Sequence, residues 1–204
     1  MKKLVSLALA AVLAISAVGC GSSSDSSSST ADSAQSTEAA ADGATFKIGG
    51  IGPITGGAAI YGQAVMNAAQ MAVDKINADG GINGYQVEFR FEDDEHDAEK
   101  SVNAYNTLKD WGMQMLMGTV TSTPCTAVSA KTEEDNMFQL TPSGSAVESI
   151  APANAFRVCF SDPNQGTASA QYIGENKLAN KVAVIYNSSD VYSSGIYQTF
   201  ATEA

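Results

Sequence analysis

The chain has 204 residues, 11 basic against 22 acidic side chains, a net charge of −11 and 44% hydrophobic residues. Without Lys2 and Lys3 the balance is nine against 22, or −13, which argues against nucleic acid and anionic lipid surfaces as partners. High acidity on its own needs no partner beyond water.

Lys2 and Lys3 precede an apolar run over residues 4–18, too short to cross a bilayer comfortably and read as a signal-peptide core. Ser16-Ala17-Val18-Gly19-Cys20 resembles a bacterial lipoprotein signal. That resemblance implies cleavage after residues 1–19 and diacylation of Cys20, with Ala17 where such signals usually carry a larger aliphatic residue. Residues 21–44 are Ser, Ala, Thr, Asp and Gly apart from Gln35 and Glu38, with no hydrophobe larger than Ala. Such a segment buries too little apolar surface to offset its ordering entropy and reads as a disordered tether. About 160 residues follow, enough for one domain with a core.

Strand and helix then alternate. Residues 46–54 read as a strand, and Val65, Ala68, Ala69, Ala72 and Ile76 recur at helical spacing. Gly80 and Gly81 can supply the left-handed end of that helix. Asn83-Gly84 reads as a turn, residues 85–92 as a strand, and Asp97 as the cap of a helix over 98–110. Residues 113–117 are apolar apart from Gln114, a strand expected to be covered on both faces. A helix from Pro124, strands over 137–141 and 156–159, a short helix from Ala146, a helix to about Leu178 and a strand over 182–186 complete the series. This alternation predicts an α/β fold, a Rossmann-like parallel sheet with helices on both faces.

In such sheets ligands sit beyond the carboxyl ends of the strands. The loops over 56–62, 118–124, 141–145 and 187–192 are rich in hydroxyls, small residues and tyrosine, without Lys, Arg or His. They offer neutral hydrogen bonds and little chemistry. Thr123-Pro124 has the form of an N-cap and first helical residue, and Ser145 with Glu148 that of a capping box. A helix N-terminus is also an anion site, so two at one edge would suit an amino-acid carboxylate. The acidic run 92–97 lacks the spacing and turn glycine of a calcium loop and reads as a strand end plus helix cap. His96 is the only histidine, and neither a Gly-x-Ser-x-Gly elbow nor a phosphate loop occurs. No catalytic residue, metal or cofactor is expected. Cys125 and Cys159 could pair in an oxidising compartment or serve as small buried apolar residues.

Asp-Lys-Ile-Asn-Ala-Asp-Gly-Gly-Ile-Asn-Gly at 74–84, the hydroxyl-rich loop after Gly118, Thr-Pro-Ser-Gly-Ser at 141–145 and Asp-Pro-Asn-Gln-Gly at 162–166 occur in that order. Together they resemble the branched-chain amino-acid (Leu/Ile/Val) binding proteins of ABC importers, the type 1 periplasmic-binding family. The resemblance implies two lobes closing on a ligand: 45–163 would be lobe 1 and 164–204 the start of a truncated lobe 2. It puts the carboxylate-binding serine on Ser122. It gives the ammonium and carboxylate contacts of the fourth-strand loop to Ser143, Gly144 and Ser145, the side-chain pocket to Tyr61, and the closing tyrosine to Tyr192. The family's acidic ammonium partner lies further along lobe 2, where no residue of this chain is assigned.

The resulting expectation is a lipid-anchored, extracytoplasmic solute-binding protein on the outer face of the bacterial cytoplasmic membrane. It would deliver an amino acid to the permease subunits of an ABC importer. An extracytoplasmic sensing module for amino acids or small amides is the alternative reading, and an enzyme is disfavoured. Acylated Cys20 is expected in mass spectra of the N-terminal peptide from detergent-extracted membranes. A soluble, unacylated protein would contradict that reading.

Overall fold

The computed structural model describes Gly43 and residues 45–204; the signal, Cys20 and the tether other than Gly43 lie outside the described residues. Five strands form one sheet in the order β2-β1-β3-β4-β5, every pairing parallel. They are β1 (Thr45–Gly52), β2 (Gln86–Asp93), β3 (Met115–Gly118), β4 (Gln139–Thr141) and β5 (Ala155–Arg157). Between them run α1 (Ala59–Ala78), α2 (Ala98–Trp111), α3 (Ser122–Glu134) and a 3-10 turn, Val147–Ile150; α4 (Asp162–Glu175) and α5 (Val191–Glu203) follow. The chain steps one way from β1 to β2 and the other way afterwards. Right-handed crossovers therefore place α1 on the face opposite α2 and α3.

Four helices end by the same device. The αL residue after the helix donates to the third carbonyl back, and the next residue donates to the fifth. The pairs are Gly80→Asn77 with Gly81→Ile76, Gly112→Lys109 with Met113→Leu108, Asn136→Glu133 with Met137→Thr132, and Lys177→Gly174 with Leu178→Ile173. Gly80 (φ 101°) and Gly112 (φ 88°) take that conformation without a Cβ penalty, whereas Asn136 and Lys177 hold it at φ 50° and 51°. The second residue of the motif turns the chain back towards the sheet. Met113 and Met137 do so just ahead of β3 and β4, Met113 in the core and Met137 against it.

That core lies on the α2/α3 face. Ile51, Tyr105, Leu108, Leu116 and Val128 are fully buried there, with Ala104 and Met113 beside them. Gly49 lets the layers approach, since a Cβ there would stand 2.6 Å from the Met113 sulfur. The Tyr105 hydroxyl donates to Asp135 at 2.8 Å, and burial together with that carboxylate pushes the phenol well above its usual range. The opposite face is thinner. Met115 and Met117 are only half-buried, and Phe138 and Phe156 stack on each other at 5.3 Å while largely exposed. The uniformly apolar β3 is thus covered on one face: α1 packs on β1 and β2, while α3 packs on β4 and β5 from the other side.

Residues 182–186 form no strand. A β-ladder needs a neighbour, and among the described residues none lies beside them, so Ile185 is completely exposed. Tyr186 is held instead by stacking on Tyr197, with ring centroids 4.0 Å apart. Both Cys125 and Cys159 are free thiols.

The acidic run is spent on chain direction. Asp93 accepts from the amides of Ile54 and Glu95 and from the Thr55 hydroxyl. Burial opposes its ionisation, but these bonds prevail and hold its carboxyl below the usual range. Asp97 caps α2 by accepting from the Lys100 amide at 2.8 Å. Asp94 is fully buried, accepts from the His96 amide through Oδ1 and leaves Oδ2 without a partner. Desolvation pushes its carboxyl up to about 6.

Leu108→Ala removes a fully buried side chain and is expected to lower unfolding free energy by about 2–5 kcal/mol, measured by denaturant titration. For Asp94 the folded-state value lies above the unfolded one, so its contribution is complete below about pH 4 and lost as pH rises through about 6. Stability measured against pH should therefore fall across that window more steeply in the wild type than in Asp94→Asn. Equal slopes would contradict the assignment.

Candidate functional site

Because every strand runs the same way, the loops leaving their carboxyl ends gather at one edge of the sheet. A cavity of about 400 Å³ opens there. Its wall takes Ala58 and Tyr61 from the β1 side, His96 from β2, Val120, Thr121 and Ser122 from β3, and Ser143 and Ser145 from β4. Cys159 and Phe160 come from β5, and Asp190 and Tyr192 from the start of α5. The β1/β3 boundary, where the strand order reverses direction, is the crevice that open α/β sheets use for ligands. A second cavity, about 470 Å³, lies between α4, α5 and residues 179–184. None of the sheet's strand-end loops reaches it.

Hydrogen bonds continue the β3–β4 ladder into the loops. The Gln139 amide donates to the Gly118 carbonyl at 2.9 Å, the Thr141 hydroxyl to Thr119 at 2.6 Å and the Ser143 hydroxyl to Val120 at 2.5 Å. At the last rung the direction reverses, and the backbone amides of Ser145 and Ala146 both donate to the Ser122 hydroxyl oxygen at 3.2 Å. Ser122 is 3% exposed. Its oxygen accepts two bonds, leaving its own proton free to donate.

Ser122 also opens α3. The N-cap is Thr121, not Thr123, so Pro124 stands third in the helix, where an amide would have no intrahelical partner anyway. Thr121 makes no side-chain cap, its hydroxyl being bonded to His96 Nδ1 at 2.9 Å. α1, entered from Ala58, is likewise without a side-chain cap, whereas Asp97, Ser161 and Asp190 cap α2, α4 and α5. Among the described residues, both uncapped α-helices begin at the cavity wall, beside the capped α5. Free amides and the helix dipole give such an end an affinity for negative charge.

Ser145 and Glu148 do not form a capping box. The turn's N-cap is Ala146 without a side-chain bond, since the amides of Ser145 and Ala146 are already taken by Ser122. One free N-terminus at this loop pair, not two, is therefore available. The Ser145 carbonyl accepts from Arg157 at 2.7 Å and from the Asp162 amide at 3.0 Å. Gly144 stands behind the wall: its amide donates to the Thr141 hydroxyl, and a Cβ there would meet that oxygen at 2.8 Å and the Cys125 sulfur at 3.0 Å. Tyr61 and Tyr192, 64% and 42% exposed, present their rings at the open rim.

Five of the six ligand-site residues expected from sequence, all but Gly144, therefore line one cavity. His96, Cys159, Phe160 and Asp190 join them unannounced. The signal for the first three was available, because the loops after β2 and β5 leave the same edge as the loops that were singled out. Asp190 belongs to a loop that was singled out, but its carboxylate was passed over. Burial pushes the Cys159 thiol up, against the opposing charge of Arg157. Burial likewise raises Asp162, which is 1% exposed with Oδ2 unpartnered, while the Ser145 hydroxyl and Arg157 pull it down. The cavity's equipment is hydroxyls, amides, aromatic rings, an imidazole, a thiol and one carboxylate, suited to holding a small polar solute.

Known proteins share this arrangement. The periplasmic binding protein family matches residues 45–203. Leu/Ile/Val-binding protein homolog 3 of Brucella melitensis is 34% identical over 164 residues, 79% of this chain and 44% of that protein. Leu/Ile/Val-binding protein BraC3 of Rhizobium johnstonii is 34% identical over 159 residues, 77% and 43% of the two chains. The branched-chain amino acid transporter substrate binding protein LivJ of Streptococcus pneumoniae, solved with isoleucine, superposes with a TM-score of 0.74 at 28% identity, covering 78% of this chain and 46% of that one. The chain thus spans less than half the length of these relatives. With the matched residues taking in the whole sheet and every loop that walls the cavity, the chain belongs to the periplasmic binding protein family, a family of solute-binding proteins rather than enzymes.

Proposed function

We propose that this chain carries most of the first lobe, residues 45–163, and the beginning of the second, residues 164–204, of an extracytoplasmic solute-binding protein. It binds an amino acid, of branched-chain type, and delivers it to the permease of an ABC importer. Cys20 anchors it by lipid to the outer face of the cytoplasmic membrane. The observation that carries the reading is the Ser122 hydroxyl, held by two amides with its proton free, at the uncapped N-terminus of α3 inside the cavity. That is the equipment a carboxylate requires. Tyr61 and Tyr192 flank an apolar ligand side chain, and Ser143 and Ser145 furnish oxygens for the ammonium. The names of the relatives, Leu/Ile/Val-binding and branched-chain amino acid transporter, support the ligand class.

Calorimetry on the two-lobed protein with leucine, isoleucine and valine tests this. Binding of at least one is expected, and Ser122→Ala should weaken it by about 1.5–3 kcal/mol, the range for a hydrogen bond to a charged group. The same change orphans the amides of Ser145 and Ala146, so the melting temperature should fall too. A lower melting temperature with unchanged affinity would reduce Ser122 to a buckle between loops.

A further inference from the structure

We infer that His96 couples solute capture to protonation: a carboxylate solute bound in this cavity takes up a proton on the imidazole and is held more tightly at mildly acidic pH. The inference rests on the amino-acid reading above and adds a pH response to it. His96 is exposed and stands in the cavity wall. Its backbone takes φ 63° with the amide donating to the buried Asp94 at 2.9 Å, so the residue's place in the loop is fixed. Nδ1 is bonded to the Thr121 hydroxyl at 2.9 Å, which leaves Nε2 for solvent or solute. Of the side-chain types in that wall, only imidazole ordinarily changes charge between about pH 5 and 8.

The tie to Thr121 connects that charge to the solute. Thr121 is the N-cap of α3 and precedes Ser122, the group proposed to take the solute's carboxylate. A neutral imidazole has one N–H; with it on Nε2, Nδ1 accepts the Thr121 proton. When the ring gains a proton from the medium both nitrogens are donors, so the Thr121 oxygen becomes the acceptor and its own proton is released to donate elsewhere. Protonation therefore adds a positive charge and a hydroxyl donor at a helix end whose free amides already favour an anion. A bound carboxylate stabilises the charged ring in return, and binding and protonation reinforce each other. Asp93, Asp94, Glu95 and Asp97 share the loop, and Lys100 of α2 is paired with Glu95 at 2.6 Å. Asp190, Cys159, Tyr61 and Tyr192 stand elsewhere in the wall, and the first turns of α1 and α3 carry no charged side chain. Asp94, its carboxyl pushed up to about 6 by burial, titrates in the same window and needs its own control.

A merely structural role, holding two loops together, must be separated from this. Asn tolerates the left-handed conformation and Gln keeps a long side chain with an N–H, so His96→Asn and His96→Gln remove the titration in two different ways. In the two-lobed protein, leucine calorimetry at about pH 5.5 and about pH 8 reads the affinity, and buffers of different ionisation heat near pH 6.5 read the proton uptake. Leucine itself keeps both its charges throughout. Wild-type protein should bind leucine roughly three- to tenfold tighter at the lower pH and take up a fraction of a proton on binding. At least one His96 variant should melt within a few degrees of wild type, bind with an affinity that changes by less than about twofold between the two pH values, and take up no proton. Asp94→Asn, which keeps an acceptor for the His96 amide, should retain the wild-type response. Wild-type binding without proton uptake, a pH response that survives both His96 substitutions, or one that is lost in Asp94→Asn would overturn the inference and leave the amino-acid reading in place. A wild-type protein that binds no amino acid would overturn both.

Discussion

The side-chain ladder between the loops after β3 and β4 is the interaction on which the site depends. Parallel strands stop when their loops must part to reach helices on the sheet's faces, and β3 and β4 share only two aligned pairs, Leu116 with Gln139 and Met117 with Leu140. Beyond them Gln139, Thr141 and Ser143 reach across to three successive carbonyls, and Ser122 takes the next two amides. Each bond is buried or nearly so, and leaving such a group unmade would cost about 1–3 kcal/mol. The loops are therefore rigid while their outer faces stay available to a ligand.

The same ladder explains how α3 comes to have an unoccupied N-terminus. Ser122, the first residue of α3, is consumed as an acceptor for the neighbouring loop, and Thr121, the N-cap, has its hydroxyl drawn aside by His96. His96 can reach it because Asp94 accepts from the His96 amide while His96 itself adopts φ 63°. A buried carboxylate with an orphaned oxygen, a left-handed histidine and an uncapped helix form one chain of dependence. Strain of this kind, close to a site and supported by surrounding packing, is common where a fold serves a ligand.

Much of this was legible in the sequence. The alternation of apolar runs with helical spacing gave the parallel α/β sheet, and Gly80-Gly81, Asn83-Gly84 and Asp97 marked turns and a cap that the structure contains. Hydroxyl-rich loops at the strand ends marked the right edge of the sheet, and the family resemblance put Ser122, Ser143 and Ser145 within them. What could not be read was how those hydroxyls divide between loop, cap and ligand, because Ser145-x-x-Glu148 is a sound local cap until Ser122, 23 residues away, takes its amide. Local propensity also overstated residues 182–186: their apolar β-branched composition suits a strand, but a strand is defined by its neighbour. The one-sided burial of β3 has the same cause, since coverage of a face is a tertiary fact that composition does not carry.

The central claim is that the solute is held at the carboxyl ends of β1, β3 and β4, over the Ser122 buckle. Amide chemical shifts of the two-lobed protein, followed during a leucine titration, test it most directly. The account predicts the largest changes at Ser122, Thr123 and Ser145 and at the loop before Tyr61, with Ser145 and Ala146 retaining slow hydrogen exchange because the buckle persists. Saturable shifts confined to the cleft between α4 and α5, with the Ser122 and Ser145 amides unmoved, would contradict it.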